Sequence, residues 1–508
     1  MIRTDTAGAG VTDSVRSVPD LLRAAAAGRP DRTALVDEQR RLSWSDLDRQ
    51  VDRAARALLA EGLAPGDRVG LRLPTCCDLA VLYLGALRAG LVAVPIDPAC
   101  TDPEAGHILA DSGAVLCVDG HNAGRILAAD PDPDPDPDAV APPANAAGED
   151  IAVLLYTSGT TGTPRGAMLS HRALLANLDQ LAAVEPALLT ADDVLFVPLP
   201  LTHIFGLNAG LGMALRVGAT TVLAGRFDPA ATLHQMAVEG VTAVAAVPGQ
   251  YASWLRRPDV RDGFARVRIA ISGSATLGRG LVAGYAELGV RLCDGYGLTE
   301  AAPVVALNVP GVAGEPRAGS VGRPLPGIEV QLRDADGTVL DTDSGDPGRI
   351  FVRGPNLFCG YWPDGGGGPD GDGWFGTGDI AVRDADGGLH LVGRSAELVN
   401  VNGFNVYPAE VEAVLAADAA VAEVAVTGVP DERTGEAVHA YVVPARGATV
   451  RPDELLAAAA RSLARFKLPA VIEVVAELPH TVTGKVMKWA LGGSDGQGNS
   501  GGRTGGGD

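Results

Sequence analysis

Apolar residues recur at helical spacing from Leu47 to Leu59, and compact apolar runs stand at Arg68–Leu73 and Leu91–Ile96. The first pattern predicts an amphipathic helix and the other two predict strands. Asp67 and Pro74 bracket the first strand as turn residues. The alternation resumes at Ile151. It predicts strands at Ile151–Tyr156, Val194–Val197, Ala219–Leu223, Ala243–Val247, Val267–Ser272 and Arg291–Asp294, with helices between them. Alternating helices and strands argue for α/β layers. From Gly319 the pattern changes to strands and turns: Glu329–Arg333, Arg349–Arg353 and Leu389–Val392, separated by DADG, DTDSGDPG and GGGGPDGDG. After Arg394 a smaller unit is predicted, with a helix at Pro408–Ala416, strands near Val421–Thr427 and Ala437–Val443, and a helix at Pro452–Leu463.

The predicted fold class is α/β. A large N-terminal domain (residues 1–393) would combine layered α/β subdomains with a β-rich subdomain, followed by a small α+β C-terminal domain (394–491). Residues 492–508 are mostly Gly with Ser, Asp, Asn and other polar residues and no apolar face, which predicts a disordered tail. Asp130–Asp138 reads DPDPDPDPD, in which Pro blocks helix and sheet and Asp self-repels, so a solvated linker is expected.

Composition narrows the function classes. The 508 residues suit more than one domain. A formal net charge of -21 gives no electrostatic footprint for nucleic acid or an anionic membrane. Aromatics are only 4% of the chain, so the core is expected to rest on Ala, Val and Leu. The six cysteines, with no C-x-x-C pair, suggest neither zinc nor a redox dithiol and fit a reducing cytoplasm. No apolar leader and no membrane span are read from the sequence. Of 41 Lys and Arg residues only Lys467, Lys485 and Lys488 are lysines, so a lysine here marks a place where a compact ammonium has a use.

The segment Tyr156–Gly166 (YTSGTTGTPRG) follows an apolar strand and is expected to lead into a helix at His171–Leu178. Gly159 and Gly162 let backbone amides turn toward an anion. Thr157, Ser158, Thr160, Thr161 and Thr163 add hydroxyl donors, and Arg165 adds charge. It is not the G-x-x-x-x-G-K-[ST] loop. Taken alone it is an anion loop or a flexible Gly/Thr turn.

The whole segment resembles the phosphate-binding signature of the adenylate-forming superfamily, which holds acyl-CoA synthetases, adenylation domains of peptide synthetases and firefly-type luciferases. Further segments resemble that superfamily's motifs in the same order: PLPLTHIFGLN (198–208), DGYGLTE (294–300), SVGRPLPG (320–327), GWFGTGD (373–379), GRSAELVNVNGFNVYPAEVE (393–412) and LPHTVTGK (478–485). The likeness spans roughly residues 20 to 490.

The resemblance implies ATP, Mg²⁺ and coenzyme A as cofactors and a small carboxylic acid as substrate. It implies that Lys485 bridges the carboxylate and the α-phosphate. Glu300 is then the Mg²⁺ ligand, in keeping with the ion's taste for a carboxylate shared with phosphate oxygens. Thr299 would hold the α-phosphate. Tyr296 would stack on adenine beside Gly295 and Gly297, with Asp294 or a nearby carbonyl receiving the amino group. Asp379 would accept both ribose hydroxyls, and Arg394 would add a ribose or phosphate contact. His203, Phe205, Gly206, Gly249, Ser274, Ala275 and Gly297 are implied to form the acyl pocket and its border. Gly403 would let a pantetheine arm pass close to the backbone.

Within the superfamily, THIFGLNAG (202–210) carries no acidic residue to pair with an amino acid's ammonium, whose burial unpaired would be costly. NGFNVYPAEVE (402–412) resembles fatty and aryl acyl-CoA synthetases. The first expectation is therefore an AMP-forming ligase joining a fatty or other apolar acid to CoA. The alternative is an acyl-AMP ligase loading the phosphopantetheine of a separate carrier protein, and the least favoured is a non-catalytic binding homologue. The chain departs from the family pattern at Arg165 (usually Lys), at Ala396 (usually a polar hinge residue about which the C-terminal domain would rotate) and at Thr202 (often aromatic).

Overall fold

The structure is a computed structural model that describes residues 15–129, 146–157, 164–275, 277–310, 312, 317, 319–341, 345–401, 404–431, 433–480 and 486–491. The Asp-Pro repeat and the segment after 491 lie outside the described residues, as do Ser158–Thr163, Gly403 and Lys485.

Two sheets with helices packed against them build most of the chain. One has the strand order Leu116–Asp119, Arg68–Arg72, Val92–Pro95, Ile151–Thr157, Arg165–Ser170. Its first four strands run parallel and the last is antiparallel. The larger sheet has nine strands, and Thr33–Val36, Thr220–Leu223, Val194–Val197, Ala243–Ala246, Ile269–Ser272 and Leu292–Gly297 form its parallel centre. These strands read as continuous apolar runs because sheets covered on both faces bury both sets of side chains. The predicted strands of both layers are present within one to three residues of their expected ends.

The helices begin where short polar side chains can satisfy free amides. Ser43 Oγ accepts from Asp46 N and Ser43 N donates to Asp46 Oδ2 in return, opening the helix Trp44–Ala60. Its buried face of Trp44, Leu47, Val51, Ala54, Ala55 and Leu58 explains the apolar spacing seen in the sequence. Ala, Val and Leu dominate the main core, as composition suggests. A second core differs: Phe196, Phe227, Tyr251, Trp254, Phe264 and Tyr285 form one aromatic cluster with ring centroids 5.0–6.3 Å apart.

The β-rich region is a four-stranded antiparallel sheet of Glu329–Arg333, Gly348–Arg353, Phe375–Arg383 and Leu389–Arg394. A short 3-10 turn, Ser395–Glu397, follows. Beyond it lie a further sheet, led by the pair Val421–Asp431 and Gly435–Pro444, and the helices Pro408–Leu415 and Pro452–Ala459. These elements enclose an apolar cluster of their own that includes Val399, Val406, Val411, Leu415, Val426 and Val442.

The helix expected at His171 is present, but a strand that the sequence reading did not list comes before it. Residues Arg165–Ser170 form a strand antiparallel to Ile151–Thr157, and the helix His171–Ala182 starts only after it. The run Gly166–Ser170 is buried throughout, so it lacks the alternation that marks a half-exposed strand. The two strands on either side of the Gly/Thr segment therefore pair antiparallel.

His171 opens that helix in a buried position, and its Nδ1 accepts from Val18 N at 3.3 Å. Burial pushes its pKa from 6.5 to about 4. The unfolded chain thus takes up a proton near pH 6.5 that the folded chain refuses until about pH 4, and stability falls as pH drops through that window. At pH 5 the loss relative to pH 7 is about 2 kcal/mol from this residue. His171→Asn keeps an acceptor for Val18 N, and its urea-unfolding midpoint is expected to fall less between pH 7 and pH 5 than that of the parent chain.

Candidate active site

The strand Leu292–Gly297 carries four of the motif residues. Asp294 is buried, and its oxygens accept from Gly295 N at 3.0 Å and Leu277 N at 3.4 Å. Burial raises its pKa to about 7. Its carboxyl thus pins the loop that contains Ser274 and Ala275, both exposed. Ser274 holds φ at +70°, a conformation that non-glycine residues rarely adopt and that often marks a functional turn.

Gly297 is required sterically. A Cβ there would lie 2.2 Å from the Pro303 carbonyl oxygen, and that same oxygen accepts from Leu298 N at 2.9 Å. The chain then forms a 3-10 turn, Thr299–Ala301, which carries Thr299 and Glu300.

Tyr296 is buried and its hydroxyl donates to Asp379 Oδ2 at 2.7 Å. Arg394 Nε lies 2.9 Å from Asp379 Oδ1. Asp379 comes from the β-rich sheet, so strands of two sheets meet in this trio. A carboxylate has about four lone-pair sites, which leaves acceptor capacity on both oxygens. The Tyr296 ring itself is buried and its phenol is committed to Asp379.

Glu300 accepts from the Tyr361 hydroxyl, and the Arg165 guanidinium lies over the Tyr361 ring at 3.7 Å. The phenol is raised by burial first and by the Glu300 charge second. Glu300 is a single carboxylate, and among the described residues no group of three or more His, Cys, Asp or Glu could hold a metal. One carboxylate completed by phosphate oxygens and water is a donor set that Mg²⁺ accepts.

His203 precedes a π-helix, Phe205–Gly212. Such wide turns are rare and concentrate at functional sites. His203 Nδ1 accepts from Phe205 N at 3.3 Å, and desolvation pushes its pKa down to about 4, so it is neutral at pH 7. A Cβ on Gly206 would stand 2.5 Å from the Pro200 carbonyl oxygen, so this turn requires glycine. The Phe205 ring approaches the other end of the site: a Cβ on Gly273 would meet it at 3.1 Å. Gly249 has open space around its missing Cβ. Asn208 Nδ2 fastens the π-helix by donating to Leu174 O at 3.1 Å and Ala302 O at 2.7 Å.

The structure therefore brings Tyr296, Asp379 and Arg394 together, and separately Arg165 and Glu300. Tyr361, Asn208 and Gly273 are neighbours of the candidate residues that sequence reading missed. The G-Y-W of 360–362 carried no chemistry that would single out Tyr361 before its contacts were known. Of the lysines, Lys467 Nζ lies 2.7 Å from both Glu410 oxygens. Lys488 Nζ lies 3.0 Å from Glu397 and 2.8 Å from Glu412.

The sequence profile of AMP-binding enzymes matches residues 22–362, and that of the AMP-binding enzyme C-terminal domain matches residues 410–485. The chain belongs to this family, the adenylate-forming superfamily, as an AMP-forming acid–CoA ligase. Over 476 residues it is 36% identical to a feruloyl-CoA synthase of an Amycolatopsis species, covering 90% of this chain and 95% of that one. Over 536 residues it is 32% identical to a long-chain-fatty-acid–CoA ligase of Yersinia pestis, covering 94% of each. The crystal structure of ATP-bound MatB from Rhodopseudomonas palustris superposes with a TM-score of 0.83 at 32% identity, covering 93% of this chain and 98% of that one. No helix among the described residues is long and apolar enough to cross a membrane.

Proposed function

We propose that this ligase activates an apolar carboxylic acid, alkyl or aryl, and passes it to coenzyme A. The observation that carries the choice of acid is the neutral His203 beside Phe205 on the π-helix. No carboxylate stands between Thr202 and Gly210 to receive a substrate ammonium. A neutral imidazole and a phenyl ring favour an uncharged acyl body, and an unpaired ammonium there would be costly. The feruloyl and long-chain ligases among its relatives act on acids of this kind.

In this reading Asp379 accepts the ribose hydroxyls with the lone pairs left free by Tyr296 and Arg394. With the Asp294 carboxyl engaged by backbone amides, a strand-end carbonyl receives the adenine amino group. Tyr296 lines the base, bordered by Gly295 and Gly297. Glu300 would hold Mg²⁺ against the phosphates, where the ion neutralises charge. Thr157, the segment 158–163 and Arg165 grip the pyrophosphate end, and Thr299 the α-phosphate.

Bringing an acid carboxylate to the α-phosphate joins two anions, so most of the acceleration comes from placement and neutralisation. Lys485 supplies the ammonium between them. The carboxylate oxygen bonds to the α-phosphorus as pyrophosphate leaves. The thiol sulfur then bonds to the acyl carbon, AMP departs and the thiol proton goes to solvent. Rotation about Ala396 would exchange the two half-reactions, with Gly403 beside the pantetheine arm.

The test is AMP formation from ATP across a panel of alkyl, aryl and amino acids, with and without CoA. Acyl-CoA from alkyl or aryl acids is expected. Acid-dependent pyrophosphate release without any acyl-CoA would instead mark a carrier protein as the acceptor. Turnover restricted to amino acids would sink the reading.

A further inference from the structure

Residues 358–362 form a strap across two parts of the site. Phe358 N donates to Glu300 O at 2.9 Å, which ties the strap to the turn bearing Glu300. Cys359 N donates to Met168 O at 2.9 Å, Met168 N to Gly360 O at 3.0 Å, and Trp362 N to Gly166 O at 2.8 Å. These bonds tie it to the strand that leaves the Gly/Thr segment. Tyr361 stands in the middle of the strap, with Phe358 edge-on to its ring at 5.0 Å. Its hydroxyl donates to Glu300 Oε1, and its face carries the Arg165 guanidinium at 3.7 Å.

We propose that Tyr361 is a positioning residue that fixes the Glu300 carboxylate and the Arg165 guanidinium relative to each other, and that arginine replaces lysine at 165 because it stacks on this ring. The inference rests on the reading of Glu300 as the Mg²⁺ ligand and Arg165 as a phosphate contact. Opposite charges this close would otherwise tend to pair with each other. The ring holds the cation on its face and the anion at its hydroxyl edge. One hydrogen bond at Oε1 leaves Oε2 and a second lone pair for a cation. A planar, weakly hydrated guanidinium stacks on an aromatic face, whereas an ammonium is a strongly hydrated point charge on a flexible stem. Arg165 is otherwise exposed, so without the ring its long side chain would have many rotamers to lose on binding phosphate.

The experiment is calorimetric titration of ATP into the full chain, without acid, in EDTA and over a range of Mg²⁺. Tyr361→Phe keeps the ring and removes the hydroxyl. It is expected to raise the Mg²⁺ concentration for half-maximal enhancement of ATP binding about tenfold, with metal-free ATP binding unchanged. Arg165→Lys keeps the charge and weakens the stacking. It is expected to weaken ATP binding about tenfold with or without Mg²⁺. Glu300→Gln separates the two levels of the argument. If it shifts the Mg²⁺ dependence while Tyr361→Phe does not, the role of Tyr361 is overturned alone. If Glu300→Gln leaves that dependence at the parental value, the metal reading falls and the inference falls with it. A Tyr361→Phe loss of ATP binding that is equal in EDTA and in Mg²⁺ shows a merely structural ring and also overturns it. Parental ATP binding by Arg165→Lys overturns the account of the arginine.

Discussion

Lys485→Ala is expected to leave ATP binding close to that of the parent chain while lowering acid-dependent exchange of labelled pyrophosphate into ATP by about a thousandfold or more. The asymmetry follows from where the charge acts. In the proposed role the ammonium acts on two anions that approach each other only as the new bond forms, so its contribution would be larger in the transition state than in the bound ground state. ATP keeps its other contacts. Lysine fits this task better than arginine because a compact ammonium can turn among oxygens on a flexible stem. Three residues further on in the sequence, Lys488 is paired with Glu397 and Glu412. Parental exchange rates in Lys485→Ala would remove the role assigned to it.

Asp379→Ala should damage both folding and binding. The carboxylate is buried and serves Tyr296 and Arg394 together. Its removal leaves a buried phenol and a half-exposed guanidinium without their acceptor, at a cost of about 2–3 kcal/mol. The proposed ribose contacts vanish at the same time, so ATP affinity is expected to drop about a hundredfold. Denaturant unfolding reads the first effect and calorimetry the second. Asp379→Asn rescues only in part, because its amide keeps one acceptor oxygen and sets an NH2 donor against either Tyr296 or Arg394. ATP binding by Asp379→Ala at the parental affinity would show that the ribose sits elsewhere.

The parallel strands were legible because their apolar runs report burial on both faces. Glu300 and Asp379 stood out only because DGYGLTE and GWFGTGD resemble the family's motifs; taken alone, Asp379 reads as a turn-capping residue. What the sequence could not show is who touches them. Tyr361 lies 61 residues from Glu300, and Tyr296 lies 83 from Asp379. Such pairs arise from how sheets meet, which local pattern does not encode. The strand Arg165–Ser170 was missed for a related reason: Gly166–Ser170 is buried throughout, so it shows no alternation to mark it as a strand. The glycines at 206 and 297 were visible as letters, but the carbonyls of Pro200 and Pro303 that exclude any side chain there became apparent only in three dimensions.

The π-helix at Phe205–Gly212 has an evolutionary consequence. A π turn holds one residue more than the α-helix it interrupts. Deleting a single residue within it would restore the tighter ladder and rotate everything on its N-terminal side by about 100°. His203 and Phe205 would swing off their present bearing while Met213–Val217 stayed in place. On the proposed placing of His203 and Phe205 at the acyl group, length variation of one residue in this segment would act as a coarse dial on acyl preference, redirecting two side chains at once where point substitution changes one.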